Sequence, residues 1–200
     1  LERSSSMAEQ SAEKKYGRET ALIVGAGDGL SAALCRLFAG EGMAVALAAR
    51  NHAKLAGLCD ATGGRAYGCD ATQADDVTRL FAAVEGDLSF PDVVVYNPSA
   101  RVRGPIDTLD PEDVRRALTV TAFGGFLVGQ AAARGMGSRG SGSILFTGAS
   151  ASVKGFAKSA PFAMGKFALR GLAESMAREL QPQNIHVAHF VIDGGITKPD

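Results

Sequence analysis

Residues 20–50, TALIVGAGDGLSAALCRLFAGEGMAVALAAR, decide the fold of this 200-residue chain. The run Ala21-Leu22-Ile23-Val24 is apolar and partly β-branched, the pattern of a short buried strand. Glycines follow at Gly25, Gly27 and Gly29. Leu30, Ala33, Leu34, Leu37 and Phe38 then recur at helical spacing, which predicts a helix burying that face. Gly40-Glu41-Gly42 interrupts it, and the apolar run Met43 to Ala49 reads as a second strand. Strand, glycine-rich turn, helix and strand make a βαβ unit.

A turn of this kind favours an anion. Glycine lets the backbone come close to a ligand because no Cβ intervenes. The free N–H groups and the positive dipole end of the following helix then face the bound phosphate. A glycine pattern alone says little, but a strand before it and a helix and strand after it are the context that a dinucleotide site requires. In the NAD-type unit a carboxylate ends the second strand and holds the adenosine ribose. Here that position reads Ala48-Ala49-Arg50-Asn51, with no acid. Arg50 is placed to pair with a 2′-phosphate, which favours NADP(H) over NAD(H). The missing acid also weighs against a methyltransferase or an FAD protein, whose cofactors usually want a carboxylate on the ribose.

The alternation continues outward. Asn51–Ala61 reads as a short helix with Leu55 and Leu58 inward, Arg65–Asp70 as a short strand, and Gln73–Val84 as a helix burying Val77, Leu80, Phe81 and Val84. Asp92–Tyr96 is a continuous apolar strand suited to the middle of a sheet. Asn97-Pro98-Ser99-Ala100 breaks it. Asp110-Pro111 opens a helix with an aspartate cap and a first-turn proline, and the helix is expected to run to Ala133. Gly124-Gly125 within it costs about 1 kcal/mol per glycine relative to alanine, which implies close packing on a cofactor, another helix or another subunit. Gly135–Gly142 reads as a loop, Ser143–Thr147 as a strand, Ala160–Leu180 as a helix with its stripe on Leu169, Leu172, Ala173, Met176, Ala177 and Leu180, and Ile185–Ile192 as a sixth strand. The fold class is therefore α/β: a Rossmann-type, doubly wound parallel sheet with helices on both faces, in one domain.

Composition narrows the function. Lysine plus arginine equals aspartate plus glutamate at 21 each, so nothing points to nucleic acid or an anionic membrane. No apolar run approaches a membrane span. Cys35, Cys59 and Cys69 are odd in number and scattered, and no His, Cys, Asp or Glu spacing suggests a metal site. His186 and His189, three apart on one strand, point to opposite faces, and His52 follows Asn51 at a helix start, so none of the three is a catalytic candidate. Residues 1–17 are polar, serine-rich and aperiodic. LERSSSM resembles an appended tag before a native start at Met7, which leaves 18–200 as the domain. A cytoplasmic location is the default expectation.

Over Thr20 to about Thr197 the chain resembles the short-chain dehydrogenase/reductase family. Gly25-Ala26-Gly27-Asp28-Gly29-Leu30-Ser31 is similar to the family's TGxxxGxG turn, with Val24 in place of the threonine and Ser31 in place of the last glycine. Asp70, followed by Ala71, matches the aspartate after the third strand that contacts adenine. Asn97 in YNPSA matches one asparagine of NNAG. Phe162-Ala163-Met164-Gly165-Lys166 occupies the place of YxxxK, and Asp193-Gly194-Gly195-Ile196 resembles the segment beside the nicotinamide. The cofactor-binding residues implied are Gly25, Gly27, Asp28, Gly29, Leu30, Arg50, Asp70, Ala71, Asn97, Lys166, Gly194 and Ile196, with no metal.

The resemblance implies hydride transfer between NADP(H) and a carbonyl or alcohol, with a tyrosine as acid or base, a lysine one turn on, a serine holding the substrate oxygen and an asparagine anchoring a water. This chain departs from that set. Phe162 stands at the tyrosine position, Ala149 at the serine position and Thr121 at the asparagine position, leaving Lys166. Ser150, Ser152 and Ser159 lie nearby, but a serine hydroxyl is too weak an acid to replace a lysine-tuned phenol. Positioned acid–base catalysis is typically worth about 10²–10⁴-fold. Two readings follow: an NADP(H)-dependent oxidoreductase with impaired or atypical catalysis, or a non-catalytic NADP(H)-binding protein acting as sensor or oligomer scaffold. The family further implies a homodimer or homotetramer built on the two long helices. It also has a substrate loop and a further strand beyond Ile196, so the chain is expected to be shortened there or to lack the usual lid.

Overall fold

The computed structural model describes residues 17–194 and residue 196. All but Gly17 of the expected tag, together with Gly195 and residues 197–200, lie outside the described residues. Six strands form one parallel sheet: β1 (Thr20–Val24), β2 (Ala44–Ala49), β3 (Arg65–Gly68), β4 (Val93–Tyr96), β5 (Gly142–Thr147) and β6 (Ile185–Phe190), in the order β3-β2-β1-β4-β5-β6. β1 pairs with β2 on one side and β4 on the other, Ile23 lying opposite Leu47 and Val95. The chain reverses its direction of winding between β1 and β4, so the connections leaving these two strand tips diverge and open a crevice.

The helices are α1 (Leu30–Gly40), α2 (Ala56–Thr62), α3 (Ala74–Asp87), α4 (Pro111–Leu118), α5 (Gly124–Arg139) and α6 (Ala160–Leu180). Alternate side chains of β1 feed two cores. Leu22 and Val24 pack with α3, α5 and α6, while Ile23 packs with Cys35 of α1 and with Leu55, ahead of α2. Val77, Leu80, Phe81 and Val84 of α3 are all buried, as the spacing requires. The edge strand β3 is half-exposed, which is why its sequence carries so little periodicity.

Four expectations need correction. In α1 the buried residues are Ser31, Ala32 and Cys35, whereas Leu37 is 55% exposed and Ala33 is exposed. Small side chains bring the helix close to the sheet, and Leu34 and Phe38 pack along its flank with Leu55 and Leu58. The helix expected to end at Ala133 runs through a π-turn (Thr119–Phe123) and on to Arg139. Gly135–Gly142 is therefore helix and strand joined at Gly140-Ser141. Arg139 holds the extra turns by donating to the carbonyls of Phe90 and Pro91, each at 2.9 Å, and Gly140 ends the helix in the left-handed region. The segment Asn51–Ala61 opens as a 3₁₀ turn, His52–Leu55, before α2. The sixth strand stops at Phe190, because the carbonyl of Ile192 accepts from the Ser150 N–H in a loop instead of extending the ladder.

Gly124 and Gly125 meet another helix and the sheet. A Cβ on Gly124 would lie 2.5 Å from the Tyr96 hydroxyl and 3.0 Å from the Ala71 carbonyl oxygen, and one on Gly125 would lie 2.5 Å from Leu169 of α6. The Tyr96 hydroxyl donates to the Val120 carbonyl inside the π-turn. Tyr96 is fully buried in the core, and burial raises its pKa, so it is no acid for the site.

Candidate functional site

At the tip of β1 the backbone curls over β2, with the Gly25 and Ala26 N–H groups both donating to the Ala48 carbonyl at 2.9 Å. Gly25 has φ +79°, and a Cβ there would lie 2.7 Å from the ring and nitrogen of Pro98. Glycine is required at this point by conformation and by space. α1 then starts behind Gly29 with no side chain capping it. Its first N–H groups are left for a ligand or solvent.

Beside this turn lies a cavity of about 920 Å³ lined by Gly25, Gly27, Asp28, Arg50, Asp70, Ala71 and Asn97 among others. A second, of about 360 Å³, shares Asp28, Asn97 and Ser99 with it and continues to Gly29, Leu30, Lys166, Gly194 and Ile196. Every cofactor-binding candidate read from the sequence lines one or both of these cavities. They follow the carboxyl ends of β1, β2 and β4, where open α/β sheets place ligands.

Several of these polar groups brace the crevice. The Asn97 side-chain amide donates to Ser31 Oγ at 2.8 Å, and its Oδ1 accepts from Thr147 Oγ1 at 2.9 Å. It thereby ties the tips of β4 and β5 to the start of α1. Asp70 Oδ1 accepts from the Thr72 N–H (3.0 Å) and hydroxyl (2.8 Å), which fixes the turn after β3.

At the other end Lys166 is 3% exposed, and its Nζ donates to the Thr147 carbonyl at 2.7 Å. Burial, and secondly the charge of Arg101, lower its pKa to about 8. One turn back on α6, the Phe162 ring centroid is 5.9 Å from that Nζ and 4.2 Å from the Arg101 guanidinium carbon. An aromatic ring with no hydroxyl is thus in contact range of two cations. Ala149 lines the cavity, and its N–H donates to Ser152 Oγ at 3.1 Å. Thr121 is 1% exposed inside the π-turn; its Oγ1 accepts from the Ala100 N–H at 3.1 Å, and it packs on Gly165. Thr121 does not line these cavities. Ser150 and Ser159 line a third, adjoining cavity, while Ser152 is fully buried.

The structure adds Lys54, Thr72, Ser99 and Arg101 to the site. Lys54 is concealed in the sequence by the apolar pattern of Leu55 and Leu58 around it, although its spacing from Arg50 is a helical turn. Arg101 is harder to find, because it follows a strand-breaking segment with no periodicity. His189 Nε2 is buried without a hydrogen-bond partner among the described residues, and burial lowers its pKa. Among the described residues no group of His, Cys, Asp and Glu could hold a metal ion, and no helix is long and apolar enough to cross a membrane. All three cysteines are free thiols, and burial raises their pKa values, with Cys69 at about 11.

Comparison with known proteins agrees with this geometry. The profile described as short chain dehydrogenase matches residues 19–199. A crystal structure of a short-chain dehydrogenase from Rhodopseudomonas palustris is 40% identical, with a TM-score of 0.83 over 88% of this chain and 85% of that one. A NAD⁺-bound xylitol dehydrogenase is 30% identical with a TM-score of 0.82, covering 88% and 70% of the two chains. The 3-oxoacyl-[acyl-carrier-protein] reductase MabA of Mycobacterium tuberculosis is 28% identical over 189 residues, 94% of this chain and 74% of that protein. The six-stranded parallel sheet, the glycine turn at its switch point and these matches together make the chain a member of the short-chain dehydrogenase family.

Proposed function

We propose that this protein binds NADP(H) along the two joined cavities and is nominally an oxidoreductase acting on a carbonyl or alcohol, without the phenol that the family uses for proton transfer. The fit of the dinucleotide rests on the chain's own groups. Gly27 and Gly29 have no atom within 4 Å of where a Cβ would stand, so the turn is open to a pyrophosphate. The uncapped start of α1 offers N–H donors to it. Arg50 and Lys54 line the adenosine end with two positive charges. A NAD⁺-bound relative shares 30% identity, so the preference for NADP(H) rests on these two cations and on the absence of an acid after β2.

A bound nicotinamide supplies the hydride. Lys166 contributes positive charge and N–H donors beside it, held in place by the Thr147 carbonyl. Phe162 and Ala149 hold no proton to give, and Thr121 faces inward, so the proton for a developing alkoxide comes from water in this reading. The observation that carries the proposal is the Phe162 ring, without a hydroxyl, within 5.9 Å of Lys166 Nζ and 4.2 Å of the Arg101 guanidinium carbon.

The second reading, a non-catalytic NADP(H)-binding sensor or scaffold, is favoured by the absence of a hydroxyl at Phe162 and Ala149, and the stacked, exposed pair Phe123 and Phe126 would give such a scaffold its contact surface. This apolar surface suits a homodimer or homotetramer. A reductase screen of the parent protein separates the two: turnover of any carbonyl with NADPH favours the first, and none favours the second. Ala149→Ser combined with Phe162→Tyr is expected to raise NADPH-dependent carbonyl reduction at least tenfold over the parent in a screen of aldehydes, ketones and quinones. A folded double variant that gains nothing, with NADPH still bound, sinks the view that the missing hydroxyls limit turnover.

A further inference from the structure

A cavity of about 600 Å³ adjoins the Lys166 end of the groove, sharing Arg101, Ala149 and Phe162 with it. Its charge is one-sided. Arg101, Arg103 and Lys158 line it, and among the described residues no carboxylate does. Asp193 sits between two lining residues in the chain but is not itself part of the wall. The protein as a whole has equal numbers of acidic and basic residues, so three cations without an acid is a local arrangement.

These cations are also uncommitted. Arg115, Arg116, Arg139 and Arg170 each have a carboxylate partner, whereas none of the three in the cavity forms an ion pair among the described residues. Arg101 is seated on the Phe162 ring, a contact that occupies none of its N–H donors. Lys158 adopts φ +58°, a left-handed conformation that a lysine takes only under constraint. Its carbonyl accepts from the Gly104 N–H at 3.1 Å, which joins the loop carrying Arg101 and Arg103 to the opposite wall. The 21-residue helix α6 begins next to the cavity, where Ser159 lines the wall and no side chain caps the helix. Its dipole adds to the positive field. Apart from Ser150 and Ser159 the remaining wall carries no polar side chain among the described residues, and Phe156 and Phe162 are prominent in it.

We infer that this cavity takes a small organic acid: a carbonyl or alcohol compound with an apolar body, its carboxylate held by Arg103 and Lys158 and its reacting carbon beside Arg101 at the Ala149–Phe162 wall. The assignment of the reacting end rests on the proposed dinucleotide groove. Selection of the anion rests on the cavity alone. Guanidinium presents a planar fork of donors that matches a carboxylate. An esterified substrate forfeits that match.

The test is calorimetric titration of the NADP⁺-saturated protein with 4-oxo-4-phenylbutanoate, its methyl ester and inorganic phosphate. The acid is expected to bind at least tenfold tighter than the ester or phosphate, and to weaken as sodium chloride is raised to 0.5 M. Arg103→Gln is expected to weaken the acid at least fivefold and leave the ester and NADP⁺ unchanged. Lys158→Gly removes a cation at a backbone position glycine prefers, so it folds at least as well as the parent and is expected to weaken the acid similarly. An ester bound as tightly as the acid, phosphate bound as tightly as either, no binding of any of them, or an acid affinity untouched in both variants overturns the inference. The dinucleotide is titrated separately, so failure of NADP⁺ and NADPH to bind counts against the proposed function.

Discussion

Gly25→Ala and Gly27→Ala separate what the glycine turn does for the fold from what it does for a ligand. At Gly25 the new methyl meets two obstacles. The backbone is at φ +79°, where an L-residue costs roughly 1–2 kcal/mol. The methyl carbon would also lie 2.7 Å from Pro98, including its backbone nitrogen, which cannot swing away as a flexible side chain could. Overpacking of that kind costs typically about 1–3 kcal/mol. Together these give a loss of roughly 2–5 kcal/mol, a large fraction of the 5–15 kcal/mol that typically holds a domain folded. For a chain of this size the melting temperature should fall by roughly 5–20 °C. Gly27 has no positive φ, and a Cβ there meets no atom within 4 Å, so its stability should change by less than about 0.5 kcal/mol. Its methyl nevertheless projects from a wall of the proposed dinucleotide cavity, and NADPH affinity should drop at least tenfold. Urea unfolding gives the first quantity and fluorescence titration the second. A Gly25→Ala protein as stable as the parent would refute the packing argument. Undiminished NADPH binding by Gly27→Ala would place the phosphates elsewhere.

Further outcomes follow from the same geometry. Arg50→Ala should weaken NADPH by about ten- to a hundredfold, the worth of a charge-assisted hydrogen bond, and leave NADH nearly unchanged; a parent protein that prefers NADH refutes the role given to Arg50. Lys166 has a folded pKa of about 8 against the ordinary 10.5, so below pH 8 both folded and unfolded chains hold its proton and the folded chain bears the cost of a buried ammonium. Between those values only the unfolded chain keeps the proton, so stability contributed at this site rises with pH through that window. Urea unfolding at pH 7 and pH 10.5 should show the parent gaining on Lys166→Met by roughly 2–3 kcal/mol, and a pH-independent gap would mean the amine is not displaced. Replacing the exposed Phe123 and Phe126 together by serine should shift the light-scattering mass towards monomer if α5 carries the expected assembly.

The amino-acid pattern alone determined the β-α alternation, the parallel sheet and the glycine turn at the tip of β1, because strand and helix periods, turn glycines and short connections act over a few residues each. It also determined that Phe162 and Ala149 carry no hydroxyl, since a side chain without one lacks it in any fold. Only the tertiary structure decided which face of α1 is buried: small residues allow an approach to the sheet that a count of apolar positions cannot register. The extension of α5 to Arg139 rests on carbonyls of Phe90 and Pro91, far away in the chain. Asn97 became a brace, and Lys54 and Arg101 became cavity walls, through contacts between segments that carry no shared pattern. The row of uncompensated cations beside Phe162 is likewise assembled from two separate loops, and electrostatic surroundings of that kind arise only when the chain brings those loops together.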